Sequence, residues 1–233
     1  MVDLSAEMGE LWASLGAPAP GRARVIQIVS ARRGEGASTV ARELARFGAR
    51  RAGKTVWLVD VDLQGQGQFD AVSTRPDLYG AIGQPVAASP DGSIFLTVQP
   101  PARARDGATI PDAKYVLAHR VGEARLYVTR FRREVLRGAQ KAHVLPSADY
   151  WNALRRHADL VVIDSPPADR SQTALTLAPY VDFTILVVAA DEADVRAPAR
   201  LRDAIAAAGG QCAGVFFNRA EVEPPGFLQR ILP

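Results

Sequence analysis

Two glycines, a serine and a threonine, set between an apolar run and a helical pattern, give this chain its clearest chemistry. In the stretch VIQIVSARRGEGAST, the run Val25, Ile26, Ile28 and Val29 stops at Ser30. Gly34, Glu35, Gly36, Ala37, Ser38 and Thr39 follow, and Val40, Leu44 and Phe47 then recur at helical spacing. Backbone N–H groups in such a loop point inward, and the helix N-terminus behind them favours an anion, so this segment is suited to cradling a phosphate. Three carboxylates accompany it. Asp60 and Asp62 end the run KTVWLVDVD, and Asp164 ends LVVID. Carboxylates at the ends of buried strands either accept hydrogen bonds from loop amides or hold a hard cation such as Mg²⁺, which wants oxygen ligands and keeps several waters.

The elements that must position these groups are legible from hydrophobic pattern. Leu4, Met8, Leu11, Trp12 and Leu15 predict an amphipathic N-terminal helix, and Ala17 to Gly21 reads as a linker, so residues 1–22 stand apart from the main domain. A helix from Thr39 to about Ala52 stops at Gly53. The strand beginning at Lys54 is nearly continuous in apolar residues, the type buried on both faces of a parallel sheet. Its end leads into the polar run Gln64 to Gln68, read as a flexible loop. Residues 69–145 form a variable insertion with strand candidates at Ser93–Gln99 and Leu126–Phe131. Regularity returns with helices at Asp149–His157, Ser171–Ala178 and Ala193–Ala208, and buried strands at Leu160–Asp164, Val181–Ala189 and Ala213–Phe217. Buried strands alternating with helices predict one α/β domain over 23–220, a doubly wound, mostly parallel sheet, with a tail at 221–233.

Composition narrows the function classes. At 233 residues and 48% hydrophobic, the chain can bury one sizeable core. Phe183 to Ala190, the longest strongly apolar run, is far shorter than the roughly 20 residues a bilayer demands. The acidic N-terminus lacks a signal-peptide pattern, and the lone Cys212 excludes an internal disulfide, so a cytoplasmic protein is expected. A net charge of +3 does not announce a nucleic-acid binder, and none is expected. His119, His143 and His157 show no metal-ligand spacing. The arginine-rich segment 103–141 reads as a solvated face, or as a surface for an acidic partner, anionic lipid or polyanion.

The ordered set of glycine loop, VDVD, VVIDSPP and GVFFNR resembles the P-loop ATPases of the partition and division-site-placement (MinD/ParA-like) type. Within them it is most similar to the bacterial tyrosine kinases and related ATPases of exopolysaccharide export. The likeness covers residues 23–68 and 150–219. It implies that Ser38 and Asp164 hold Mg²⁺, that Thr39 lies near the α-phosphate, and that Asp60, Asp62 and Asp164 activate water or hold metal. It also implies that Asn218, with Arg219 beside it, meets the adenine base. ATP or ADP with Mg²⁺ is the expected cofactor, bound weakly; no cofactor at all is the alternative.

The departures matter as much as the likeness. The family loop reads Gly-Glu-Gly-Lys-Ser-Thr, and Ala37 stands where its lysine meets the β- and γ-phosphates. A charge-assisted hydrogen bond contributes about 1.5–3 kcal/mol. Its loss weakens nucleotide binding roughly 10- to 100-fold, and turnover more, since the same charge stabilises the transition state. Lysine recurs only at Lys54, Lys114 and Lys141, and Lys54 is a poor substitute because it begins a strand whose far end faces the site. Arg33 falls where partition-type ATPases carry a second lysine that reaches across a dimer; a solvated loop residue is the alternative. The last tyrosine is Tyr180, so the tyrosine-rich tail of the kinases is not expected. The expected function is a catalytically impaired relative that regulates or scaffolds an inner-membrane polysaccharide co-polymerase, at the membrane through that partner. The alternative is a nucleotide-switched positioning ATPase, self-associating through Arg33, for pilus or partition machinery.

Overall fold

The computed structural model describes residues 4–16, 21–65, 67–191, 194 and 196–219. In chain order they form α1 (Ser5–Ser14), β1 (Arg24–Ser30), α2 (Ala37–Ala49), β2 (Thr55–Asp60), α3 (Gly67–Ser73), α4 (Pro76–Tyr79), β3 (Ile82–Ala87) and β4 (Leu96–Gln99). There follow β5 (Val116–Val121), β6 (Leu126–Phe131), β7 (Lys141–Val144), α5 (Asp149–His157), β8 (Ala158–Asp164), α6 (Thr173–Leu177), β9 (Phe183–Ala189), α7 (Arg196–Ala207) and β10 (Cys212–Asn218). Most of the expected linker and the tail at 221–233 lie outside the described residues. So does the expected start of the last helix at Ala193.

One eight-stranded sheet dominates, in the order β10-β9-β1-β8-β2-β6-β5-β3. The strands from β10 to β6 run parallel, and β5 pairs antiparallel with both β6 and β3. The apolar runs predicted as central strands occupy the centre, where covering on both faces removes the need for alternation. On one face Ile26, Ile28, Leu58 and Val162 pack beneath α2, with α1 outside it through Met8 and a Trp12–Phe47 contact. On the other, Val25, Val59, Val161 and Ile163 meet Trp151 and Leu154 of α5, and Val29 and Leu186 meet Leu201 and Ile205 of α7.

Residues 69–145 do more than decorate this sheet. Three of their strands, β6, β5 and β3, continue it, and β4 with β7 makes a separate antiparallel ribbon. The strand expected at Ser93–Gln99 begins only at Leu96, because the Asp91 carboxylate accepts both the Ser93 N–H and its hydroxyl, holding that stretch in a turn. Several arginines of this segment close their own turns: Arg103 donates to the Gly107 carbonyl, and Arg120 to those of Glu123 and Ala124. No described helix is long and apolar enough to cross a membrane.

Candidate functional site

The parallel pairing brings the C-terminal ends of β1, β2 and β8 side by side, where ligands bind in open α/β sheets. β1 delivers the loop 31–36 to that edge, and α2 leads away from it. Gly34 and Gly36 adopt φ of +93° and +96°, left-handed conformations that side chains resist. A Cβ built on Gly36 would also collide with the Asn218 amide nitrogen, so the glycine there is required twice over.

The loop is fixed from outside and within. The buried Glu35 carboxylate accepts the Arg32 N–H at 2.7 Å, and Asp169 accepts the Arg33 N–H at 3.1 Å. From the end of β10, Asn218 donates to the Glu35 carbonyl at 2.9 Å and Arg219 to the Gly34 carbonyl at 2.5 Å. What remains is a run of five backbone amides, Gly34 through Ser38, that donate to no described residue. They are a nest for an anion at the head of a helix. The cavity in front of them, about 530 Å³, reaches from this nest to Asp62, Asp164, Arg170 and Asn218.

The three aspartates are brought together, and each already has partners. Asp60 and Asp164 are register neighbours on β2 and β8. Asp60 accepts the Asp62 N–H at 2.9 Å and the Gln68 N–H at 3.0 Å. Its pKa is raised well above the ordinary carboxylate range, first by burial and then by the Asp164 charge. The Gln68 side chain donates to Asp164 Oδ2 at 2.6 Å and to the Ser38 carbonyl at 2.7 Å. Behind it, Arg42 donates to Gln68 Oε1 at 3.1 Å and to the Tyr79 hydroxyl at 3.0 Å. Burial pushes the Asp164 carboxyl up to about 6, against the pull of the Gln68 hydrogen bond, the nearby Ser38 hydroxyl and the Arg42 charge. Asp62 accepts the N–H groups of Gln64 and Gly65 and is ion-paired with Arg170.

Two oxygens remain for a cation. Asp164 Oδ1 is buried without a partner among the described residues, and the Ser38 hydroxyl lies close to the same carboxylate. Mg²⁺ is commonly held by one or two protein oxygens together with phosphates and water, so Ser38 and Asp164 fit it jointly with a phosphate. Among the described residues no cluster of three or more acidic, histidine or cysteine side chains could hold a metal alone.

Arg33 lines the cavity, and its guanidinium meets no described residue. Pattern reading missed Gln68, Arg42 and Arg170. Gln68 sat in an expected flexible loop, yet α3 begins at Gly67 and the side chain is wholly buried. The signal available was Arg42 inside an otherwise apolar helix face, a buried cation that demands partners.

No family model and no curated protein matches the chain. Solved structures do. The chimerical protein CapA2B2 superposes with a TM-score of 0.59 at 17% identity, covering 94% of this chain and 86% of that one. The BceF tyrosine kinase domain gives 0.55 at 20% identity, covering 92% and 74%. A plasmid partition protein from Borrelia burgdorferi B31, bound to AMPPNP, gives 0.51 at 16% identity, covering 90% and 80%. The chain therefore has the α/β fold of the P-loop kinase domains, a mostly parallel eight-stranded sheet flanked by helices, and is structurally similar at low identity to tyrosine kinase domains and partition ATPases.

Proposed function

We propose that this protein is a catalytically impaired P-loop ATPase-like partner, serving as a cytoplasmic regulator or scaffold of an inner-membrane polysaccharide co-polymerase in exopolysaccharide synthesis or export. The observation that carries this reading is that internal partners engage Asp62 and one oxygen of Asp164, leaving Asp164 Oδ1 as the buried oxygen without a partner among the described residues. Arg170 neutralises Asp62, and Gln68, backed by Arg42, occupies Asp164. Ala37 places no cation over the nest. Five free amides still favour a phosphate, so ATP or ADP with Mg²⁺ binds weakly, with Ser38 and Asp164 as the protein ligands of the metal. Mg²⁺ when bound would neutralise phosphate charge; the chain's residues orient the phosphate, and Asn218 and Arg219 secure the loop. Likeness to tyrosine kinase domains supports the choice of pathway. Calorimetric titration with ATP and Mg²⁺, beside an Ala37→Lys variant, tests it. Weak binding by the native chain and a 10- to 100-fold gain in the variant are expected. Tight native binding would overturn it.

A second reading is favoured by the unengaged Arg33 guanidinium at the cavity lip. In it the chain is a positioning ATPase whose Arg33 reaches a second copy's phosphates, arginine offering a bidentate fork to them. Light scattering separates the two: a dimer that forms only with ATP and disappears in Arg33→Ala supports this alternative.

A further inference from the structure

Beside the nest, sharing Asp62, Pro166 and Arg170 with its cavity, lies a second groove of about 610 Å³. One wall is β7, and Lys141, Ala142, His143 and Val144 all line it. Side chains of a strand alternate between faces, so four successive residues form one wall only where a strand presents its edge. The pairing of the ribbon agrees. Leu145 donates to the Phe95 carbonyl at 2.8 Å, which makes 95/145 a hydrogen-bonded pair. In an antiparallel ladder such pairs alternate with non-bonded ones, here Leu96 with Val144 and Val98 with Ala142. The N–H and C=O groups of Ala142 and Val144 therefore aim away from β4, and none has a partner among the described residues.

The groove around this open edge is cationic over an apolar floor. Leu63, Phe131 and Leu136 form the floor. Arg133, which donates to the Gln64 carbonyl, stands on the rim with Lys141 and Arg170. Asp62 is the acidic residue in the lining, and Arg170 already neutralises it. An open strand edge recognises an extended backbone, and the surrounding cations select acidic side chains on it.

We propose that an acidic peptide segment of a partner protein docks here in extended form, adding a third strand to the ribbon along β7. At about 3.3 Å per residue, the four residues of β7 seat a segment of four to five residues. A carboxylate arriving near Arg170 competes with Asp62 for the guanidinium, which links the groove to the nest. The docking itself requires no nucleotide.

Fluorescence anisotropy of the full chain with a labelled Glu-Val-Glu-Val-Glu-Val peptide tests it. Saturable binding is expected, at least tenfold weaker for Lys141→Glu and for Ala142→Pro. The Ala142 N–H points out of the ribbon, so proline there leaves the pairing with β4 intact and the thermal midpoint unchanged. The same peptide N-methylated at alternate amides probes the edge on the native protein, whatever the proline variant does, and is expected to bind at least tenfold more weakly. Equal affinity for a Lys-Val peptide would overturn the proposal, as would equal affinity for the methylated peptide. Anionic vesicles displacing the peptide from native protein and Ala142→Pro alike would assign the groove to a lipid surface instead. Tighter peptide binding after removal of residues 220–233 would assign it to the chain's own acidic segment, likewise overturning it.

Discussion

The nest and the groove share a wall, yet they are built in opposite ways. In the nest the backbone donors meet no described residue, and the carboxylates, Asp164 Oδ1 apart, are engaged from within. In the groove the strand edge is free and the side-chain cations dominate. The nest hangs from the ends of continuous buried strands, so its shape does not depend on a cation at position 37. The groove hangs from a two-stranded ribbon at the surface, where substitutions change what binds more than they change what folds. The pair teaches that shape and chemistry are held by different residues here.

The largest effect should come from breaking the buried network beneath the nest. Arg42→Ala strips partners from Gln68 and Tyr79 and a countercharge from Asp164, and removing one member of a buried charged network costs about 3–5 kcal/mol. Urea unfolding measures it. Lys141→Glu in the groove should cost under about 0.5 kcal/mol, and equal losses at both positions would erase the contrast. Next, Gly36→Ala sets a side chain at φ +96° against Asn218. A loss of about 1–3 kcal/mol is expected, together with loss of phosphate binding by isothermal titration.

The buried carboxyl sharpens the contrast through pH. Asp164 has a folded pKa of about 6 against an ordinary 3.8, so between these values the folded protein keeps a proton that the unfolded chain releases. Its contribution to stability therefore falls as pH rises from about 4 to about 6 and stays reduced above. Asp164→Asn should raise the unfolding midpoint at pH 8, and the gain should vanish below pH 4. A gain constant with pH would show that ionisation is not the cause. The smallest effect belongs to the shared wall. The Arg170–Asp62 pair is partly exposed, with side-chain exposures of 38% and 21%. Arg170→Ala should change stability by less than about 1 kcal/mol, while weakening acidic-peptide binding in the groove severalfold.

The sequence revealed the parallel half well, because strands covered on both faces read as unbroken apolar runs and Gly34 and Gly36 mark a loop that only glycine can make. Helix and strand ends shifted by a few residues, as α2 did, starting at Ala37 rather than Thr39. Residues 69–145 were harder. Half-covered strands such as β3, mostly exposed along its length, carry no strong pattern, and their pairing is set by partners distant in sequence. Gln68 illustrates the limit for the site. A glutamine closing a Gln-Gly-Gln-Gly-Gln run has the composition of a loop, and only the tertiary fold places Asp60, Asp164 and Arg42 around it. Arg170 was likewise invisible, since its pairing with Asp62 spans 108 residues.

Phosphate release from ATP and Mg²⁺ by the native chain, beside an Ala37→Lys/Arg170→Ala double variant, tests most directly whether shape has outlived chemistry. Background release is expected from the native protein, with a measurable gain once position 37 carries a cation and Asp62 is freed. Steady turnover by the native chain, unimproved in the double variant, would contradict it.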